Sequence, residues 1–207
     1  MNATKHCKIS VRRWGGQEDD YRPIHDFIDS TKILCADSRH RVFHTMWAVN
    51  LIVVPLFGHT IVNSDGNEVD TKDLCERDHL LVDYANKFIP TLNDFVGAIE
   101  IDSAPLKVTI RQQVETLHQR YATNSELSKL LLSPLDITGK FESLLLTHNS
   151  WFLNSVATQL FELDRRLTDF DLSPDIAFTH MRFESWMDNG LTFPPSAKKL
   201  QTITSRS

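Results

Sequence analysis

Three segments in the first half of the chain each carry two potential metal-ligating side chains four residues apart. The pairs are His25 with Asp29, His40 with His44, and His79 with Asp83. On an α-helix, residues at this spacing lie on one face, one turn apart, so both side chains of a pair can reach one ion. The spacing therefore predicts a metal site on helices of the first half.

The residue types also indicate what such a site would do. We expect His25, His40, His44 and His79 as ligands, and Asp29 or Asp83 as a ligand or as a catalytic general base. Imidazole and carboxylate ligands favour Zn, Mn, Fe or Ni over Ca or Mg. An open position on such an ion would lower the pKa of bound water and supply hydroxide. Nearby cations could then bind a substrate phosphate: Lys32, Arg39 and Arg41.

An ordinary structural explanation accounts for the same residues. With nine histidines and 27 acidic residues, about one His-to-acid pair at this spacing arises by chance. Most such pairs are solvated surface pairs, and a histidine among apolar residues, such as His148, is more often hydrogen-bonded in the core than a ligand. Cys35 and Cys75 fit buried thiols better than nucleophiles.

The elements that must position these side chains are predicted to be mostly helices. Hydrophobic residues recur at helical spacing through most of the chain, so we expect a mainly α helical bundle, in one or two helical lobes. Residues 1–16 are interpreted as an arm, and one helix is predicted from Arg39 through Val54, ended or kinked by Pro55. One exception is a small β-hairpin near 59–69, where Asp65-Gly66 separates two β-branched runs.

Composition excludes several classes of protein. The formal net charge of −5 makes nucleic-acid binding unlikely, and neither the polar N-terminus nor the longest apolar run, residues 46–57, predicts a leader or a membrane span. Three scattered cysteines do not form a disulfide framework or a zinc knuckle. We therefore expect free thiols and a cytoplasmic location, which is the host cytoplasm if the protein is phage-encoded.

The helical pattern breaks near residue 101, which predicts one domain over 1–100 and a helical C-terminal lobe with a polar tail over 101–207. The two parts share a weak internal match, because His44, Trp47 and Asn50 recur at the same spacing as His148, Trp151 and Asn154. One explanation is that two helices use similar core residues, and the other is an old duplication of an α-helical half. Leu144 replaces His40 in the second part, so a site in the first half has not been kept there.

The first hundred residues resemble an uncharacterised family of short phage and bacterial proteins. The likeness rests on Gly15-Gly16, Asp20-Tyr21, IHDFIDSTK at 24–32, DSRHR at 37–41 with His44, FGHTI at 57–61, NSDG at 63–66, His79 with Asp83, and IPT at 89–91. The resemblance implies a domain that ends near residue 100 and a phage or bacterial setting, but no activity.

Two functions remain open, and the sequence does not decide whether the protein is an enzyme. The preferred one is a non-enzymatic binding protein, an inhibitor of a host factor or an assembly subunit, that contacts a protein partner or forms a homo-oligomer. It is preferred because no known catalytic motif and no glycine-rich substrate loop is present. The alternative is a metal-dependent hydrolase of a phosphoester or nucleotide that uses the His/Asp site.

Overall fold

A computed structural model describes residues 2–161, 163, 170–188, 190 and 192–204. It divides the chain into two compact units, of which the first comprises Met1–Asp94 with Phe183–Ser207 and the second comprises Phe95–Arg182. The predicted domains over 1–100 and 101–207 stay a prediction. The mainly α fold is confirmed.

The first unit alternates short α-helices with tighter and wider helical turns. In chain order its elements are α1 (Ala3–Trp14), α2 (Glu18–Ile28), 3₁₀ turns at Ser30–Ile33 and Ser38–Phe43, α3 (Met46–Ala48), a π-helical turn at Val49–Val53, α4 (Val54–Phe57), β1 (Thr60–Val62), β2 (Glu68–Asp70), α5 (Thr71–Leu74), a π-helical turn at Cys75–Leu80, and α6 (Leu81–Asp83). Helix α7 (Leu92–Val96) follows where the two units divide.

The second unit is built in a similar way. Its elements are α8 (Ala104–Arg120), α9 (Ser125–Thr138), a 3₁₀ turn at Phe141–Leu146, α10 (Ser150–Phe152), a π-helical turn at Leu153–Ala157, α11 (Thr158–Phe161) and α12 (Ile176–His180). The chain then contributes a 3₁₀ turn at Ser185–Met187 and α13 (Pro195–Thr204) to the first unit. No helix in the described ranges combines the length and apolar character that a membrane crossing requires.

The N-terminal segment is a helix and not the predicted arm. The Asn2 side chain accepts a hydrogen bond from the Lys5 amide and so caps α1, which ends at Gly15 with φ +83°. Helix α1 buries Cys7 and Ser10 completely. The arm prediction was wrong because the polar side chains of this helix face inward, where apolar ones were expected.

The predicted helix from residue 39 to 54 is interrupted. Asp37 accepts a hydrogen bond from the Arg39 amide and starts a 3₁₀ turn that ends at Phe43, and Thr45 is extended, with φ −131° and ψ 153°. His40 and His44 are therefore not on one α-helical face as predicted. A β-branched Thr45 favours this extended start of α3.

The hairpin is confirmed. Thr60 pairs with Asp70 and Val62 with Glu68 in antiparallel register. Its turn packs on the α1–α2 junction, where the Gly16 amide donates to Asp65 and the Ser64 amide donates to Asp20. These contacts give the Gly15-Gly16 segment a structural role.

The first unit has a core cluster of buried apolar side chains. It comprises Tyr21, Ile24, Ile28, Val49, Val53, Val54, Val69, Leu74, Cys75 and Leu80. Part of the polar tail is also held in place, because the Ser196 amide and hydroxyl both donate to Asp94 at the start of α13.

Candidate metal centre

Four buried side chains from separate segments of the first unit converge on one point. Asp29 follows the last residue of α2, His44 lies at the break before α3, His79 lies in a π-helical turn, and Asp83 ends α6. One potential ligand atom of each lies within 4.8 Å of those of the other three. The centre thus joins residues that are up to 54 positions apart in the chain.

Two interruptions of regular helix direct the side chains of His44 and His79 towards the centre. The interruption at residues 44–45 turns His44 out of the helical register that a continuous helix would impose. The π-helical turn at Cys75–Leu80 inserts an extra residue into one turn, which changes the direction of the side chains that follow. Asp78 therefore faces α1, where it accepts hydrogen bonds from Arg13 and Trp14, while His79 faces the centre.

Four of the distances between the ligand atoms are close to those around a single metal ion. The Nε2 atom of His44 lies 3.1 Å from His79 Nε2, 3.1 Å from Asp83 Oδ2 and 3.4 Å from Asp29 Oδ1. His79 Nε2 lies 3.6 Å from Asp29 Oδ1. Metal–ligand bonds of about 2.0 Å in a tetrahedron place neighbouring ligand atoms about 3.3 Å apart. The arrangement can therefore hold one transition-metal ion.

The electrostatics keep the two carboxylates ionised, as metal binding requires. Burial alone would raise the pKa of Asp29, but hydrogen bonds from His44 and His79 outweigh burial and lower it. The pKa of Asp83 is also lowered, because hydrogen bonds from His44 and His6 outweigh its burial. Burial lowers the pKa of His79. At neutral pH the carboxylates are ionised and the His79 imidazole is neutral, and a metal ion would replace the Nε2 protons that the histidines donate to the carboxylates.

Two of the predicted ligands lie beside the four and not among them. His25 Nδ1 lies 3.0 Å from His79 Nδ1, while His25 Nε2 lies 2.9 Å from the Ser10 hydroxyl, so His25 orients His79 from behind. The His40 ring centre lies 5.8 Å from that of His44, and the His40 Nδ1 atom is hydrogen-bonded to the Asp37 carbonyl. The structure therefore brings together all three predicted segments. Two of the four predicted histidines are at the centre, and the other two lie beside it.

The three cations predicted to bind a substrate anion each lie against a carboxylate. Lys32 Nζ is 2.6 Å from Asp29 Oδ2, and the Nε and Nη2 atoms of Arg39 both donate hydrogen bonds to the Asp37 carboxylate. The Arg41 Nε atom is 4.0 Å from Asp83 Oδ2, and its guanidinium lies over the Tyr84 ring.

Sequence reasoning missed His6, which contacts two members of the centre. Its ring stacks on His79 with the centroids 3.9 Å apart, and its Nε2 lies 3.2 Å from Asp83 Oδ1. The His6 Nδ1 atom is 2.7 Å from the Asp78 carbonyl. The signal that could have identified it is the helical spacing of His6 and Ser10 on α1.

Comparison with known proteins places this centre within a family domain. A family model described as Domain of unknown function (DUF6915) matches residues 1–104, which is half of the chain. The chain belongs to this family. The resemblance of the first hundred residues to an uncharacterised family is thereby confirmed, while the phage or bacterial setting stays a prediction. The DUF6915 match contains all four converging side chains as well as His6, His25 and His40. No curated protein and no solved structure shows a significant match to the chain.

Proposed function

We propose that the DUF6915 domain binds one divalent transition-metal ion, of Zn, Mn, Fe or Ni, through Asp29, His44, His79 and Asp83. In this proposal the ion organises the first unit of a non-enzymatic binding protein that acts through protein–protein contacts. The observation that carries it is the convergence of four ligand atoms at the spacing of a single coordination shell. An ion bound by residues of separate segments would stabilise the folded domain, because the binding site does not exist in the unfolded chain.

The enclosure of the centre favours a structural role for the ion. The side chains of His44 and His79 are 0% exposed, that of Asp83 is 1% and that of Asp29 is 9%. Lys32, Arg39 and Arg41 interact with carboxylates, so an incoming phosphate would have to compete with those contacts. Four protein ligands also complete a tetrahedral shell, as structural zinc sites do.

The setting proposed for the protein follows from its family resemblance and from its thiols. Short phage and bacterial proteins of this kind suggest an inhibitor of a host factor or an assembly subunit, working with a protein partner or as a homo-oligomer. Cys7, Cys35 and Cys75 are buried free thiols, which is consistent with a reducing cytoplasm.

One observation favours the alternative, a metal-dependent hydrolase of a phosphoester or nucleotide. His40 is buried beside the centre, and its Nε2 atom has no hydrogen-bond partner among the described residues. Burial and the neighbouring His44 lower the pKa of His40 to about 4, so the imidazole is neutral at pH 7 and can accept a proton. A bound ion with six coordination positions would supply an activated water beside it. In that case the general base is His40, while Asp29 and Asp83 are ligands.

Elemental analysis by plasma mass spectrometry tests the proposal on the full chain purified without chelator or affinity tag. We expect close to one transition-metal ion per chain, lost in His79→Ala and Asp83→Asn. The ion should be kept in His40→Ala and in His59→Ala, a matched control at an exposed histidine of the same domain. A chain without metal, or one whose metal survives both ligand variants, would overturn the proposal.

The same preparations decide between the two functions. The metal-loaded chain is assayed with p-nitrophenyl phosphate and with a set of nucleotides. If turnover is found and His40→Ala abolishes it while the metal content is unchanged, the hydrolase is correct and the non-enzymatic role is overturned. Metal without turnover in all variants supports the binding role.

A further inference from the structure

The second unit repeats a stretch of the first unit element by element. Helix α3, the π-helical turn after it and α4 correspond to α10, its π-helical turn and α11, and every boundary lies 104 positions later. A 3₁₀ turn precedes both stretches. Thr45 and Asn149, which start the two helices, share nearly the same backbone angles, φ −131° with ψ 153° and φ −135° with ψ 158°. This agreement favours duplication over independent use of similar core residues.

The repeat places His148 at the position of the metal-centre residue His44. Both imidazoles are completely buried, and each lies one residue before the residue that starts its helix. One position beside the first centre is apolar in the second unit, because buried Leu144 corresponds to His40. The second unit therefore lacks one histidine found beside the four-ligand centre and keeps another at the position of His44.

His148 has a new partner on the preceding long helix. Its Nε2 atom lies 2.9 Å from the Nε2 atom of His118, a half-buried residue of α8. The His148 Nδ1 atom lies 3.1 Å from the Leu144 carbonyl oxygen, which only accepts hydrogen bonds, so Nδ1 carries the proton. The lone pair of His148 Nε2 then points towards His118. A carbonyl behind the ring is the usual support of a metal-binding histidine.

We propose that His118 and His148 form a second transition-metal site in the second unit, separate from the centre in the DUF6915 domain. Two nitrogen ligands side by side on one ion lie about 2.8 to 3.3 Å apart for bonds of about 2.0 Å, and 2.9 Å is observed. Imidazole suits Cu²⁺, Ni²⁺ and Zn²⁺, and Cu²⁺ binds most tightly in this series. Burial lowers the pKa values of both histidines, that of His148 to about 3, so both are neutral at pH 7.

The site differs from the first centre in its number of ligands. Within the described ranges, three or more His, Cys, Asp or Glu side chains converge only at the first centre. Water would complete the shell on the half-exposed side of His118. The second site is therefore expected to bind more weakly than the first and to exchange its ion readily.

Titration of the full chain with Cu²⁺, followed by calorimetry and electron paramagnetic resonance, tests this proposal. We expect His118→Ala to remove one equivalent of bound Cu²⁺, or to weaken that equivalent at least tenfold, and to remove nitrogen hyperfine lines. His180→Ala, at another half-buried histidine of the second unit, is the matched control and should keep the equivalent. Unchanged binding in His118→Ala, or no equivalent that depends on His118, overturns the proposal.

Two further variants distinguish a loss of Cu²⁺ binding at His118 from a loss of folding and from binding at the first centre. If circular dichroism shows that His118→Ala does not fold, His118→Gln retains a polar side chain without an imidazole and replaces it. Asp83→Asn, titrated in parallel, reports the first centre alone. If the first centre does not exist, the wild-type chain still shows the equivalent that depends on His118, so the two proposals fail independently.

Discussion

The Nε2 atoms of His44 and His79 lie 3.1 Å apart although the two residues are separated by 35 positions in the chain. Asp29 Oδ1 lies 3.4 Å from the first of these nitrogens and 3.6 Å from the second. Nitrogen lone pairs and ionised oxygens repel each other at such distances unless a cation or shared protons lie between them. The proposed ion would occupy the space between these atoms in place of the shared protons.

Removing the ion should destabilise the protein. A ligand that binds only the folded state at 100 to 1,000 times its dissociation constant adds about 3 to 4 kcal/mol to the free energy of unfolding. For a chain of this size we expect a chelator to lower the melting temperature of the wild type by roughly 6 to 16 °C. Differential scanning calorimetry with and without a chelator measures the shift.

The ligand variant supplies the control for this shift. Asp83→Asn should melt at a temperature close to that of the chelated wild type, and the chelator should not change it further. His59→Ala should behave as the wild type does. A wild-type melting temperature that the chelator leaves unchanged would mean that no ion stabilises the fold.

The sequence predicts the hairpin and several helix starts because their signals are local. Asp65-Gly66 sits in the turn as expected, and Asp70 caps α5 by accepting a hydrogen bond from the Asp73 amide. The pairs of potential ligands were also recognisable from their types. Their common location was not, because His44 and His79 are brought together by packing between segments distant in the chain.

The features that the sequence did not reveal depend on tertiary structure. Local propensity is as compatible with a regular α-helix as with the π-helical turn around His79 or the extended Thr45. The sequence therefore does not predict either interruption. His6 escaped notice because α1 buries polar side chains, so the first residues lack a clear apolar stripe. The periodicity of apolar residues does not identify a helix whose inward face is polar and packs through hydrogen bonds.

Gly15 should be sensitive to substitution for two reasons, and Gly66 for only one. Both have positive φ, +83° and +82°, which disfavours a side chain by about 1 kcal/mol. A Cβ at Gly15 would also lie 2.7 Å from Asp65 Oδ2, whereas a Cβ at Gly66 would meet no atom within 4 Å. We expect Gly15→Ala to cost about 2 to 3 kcal/mol and Gly66→Ala about 1 kcal/mol.

Urea unfolding at equilibrium compares the two glycine variants directly. The difference between them isolates the contact of the hairpin turn with the α1–α2 junction, because the backbone strain is shared. Equal losses in the two variants would show that this contact does not hold the junction in place.

Asp94 should control whether the C-terminal helix stays docked. Its two carboxylate oxygens accept hydrogen bonds from the amide and hydroxyl of Thr91 and of Ser196. Asp94→Ala removes all four and should release α13, at a cost of about 2 kcal/mol or more. Limited trypsin digestion should then cleave at Lys198 and Lys199 at least tenfold faster than in the wild type.

A variant that keeps part of the contact separates docking from general destabilisation. Ser196→Ala loses the hydroxyl donor but keeps the amide, so cleavage should accelerate less than in Asp94→Ala. Lys129→Ala, at an exposed site in the second unit, should leave the cleavage rate unchanged. If α13 is cleaved equally fast in all of these proteins, Asp94 does not anchor it.

His148 should make the metal-free protein less stable in acid. Burial lowers its pKa in the folded chain to about 3, from an ordinary histidine value of 6.5. The unfolded chain therefore binds the proton first as the pH falls below about 6.5, so the free energy of unfolding decreases between about pH 6.5 and pH 3. From this residue alone we expect a loss of about 2 kcal/mol between pH 7 and pH 5.

A His148 variant isolates the contribution of this residue to the pH dependence of the free energy of unfolding, because the other buried histidines are the same in the variant and the wild type. Burial also lowers the pKa values of His25 and His40, to about 3 and about 4, so the wild type should lose more than His148 alone accounts for. We expect His148→Gln to be less stable than the wild type at pH 7 but to lose about 2 kcal/mol less between pH 7 and pH 5. Urea melts with chelator present measure both slopes, and parallel slopes would show that His148 is not buried in its neutral form.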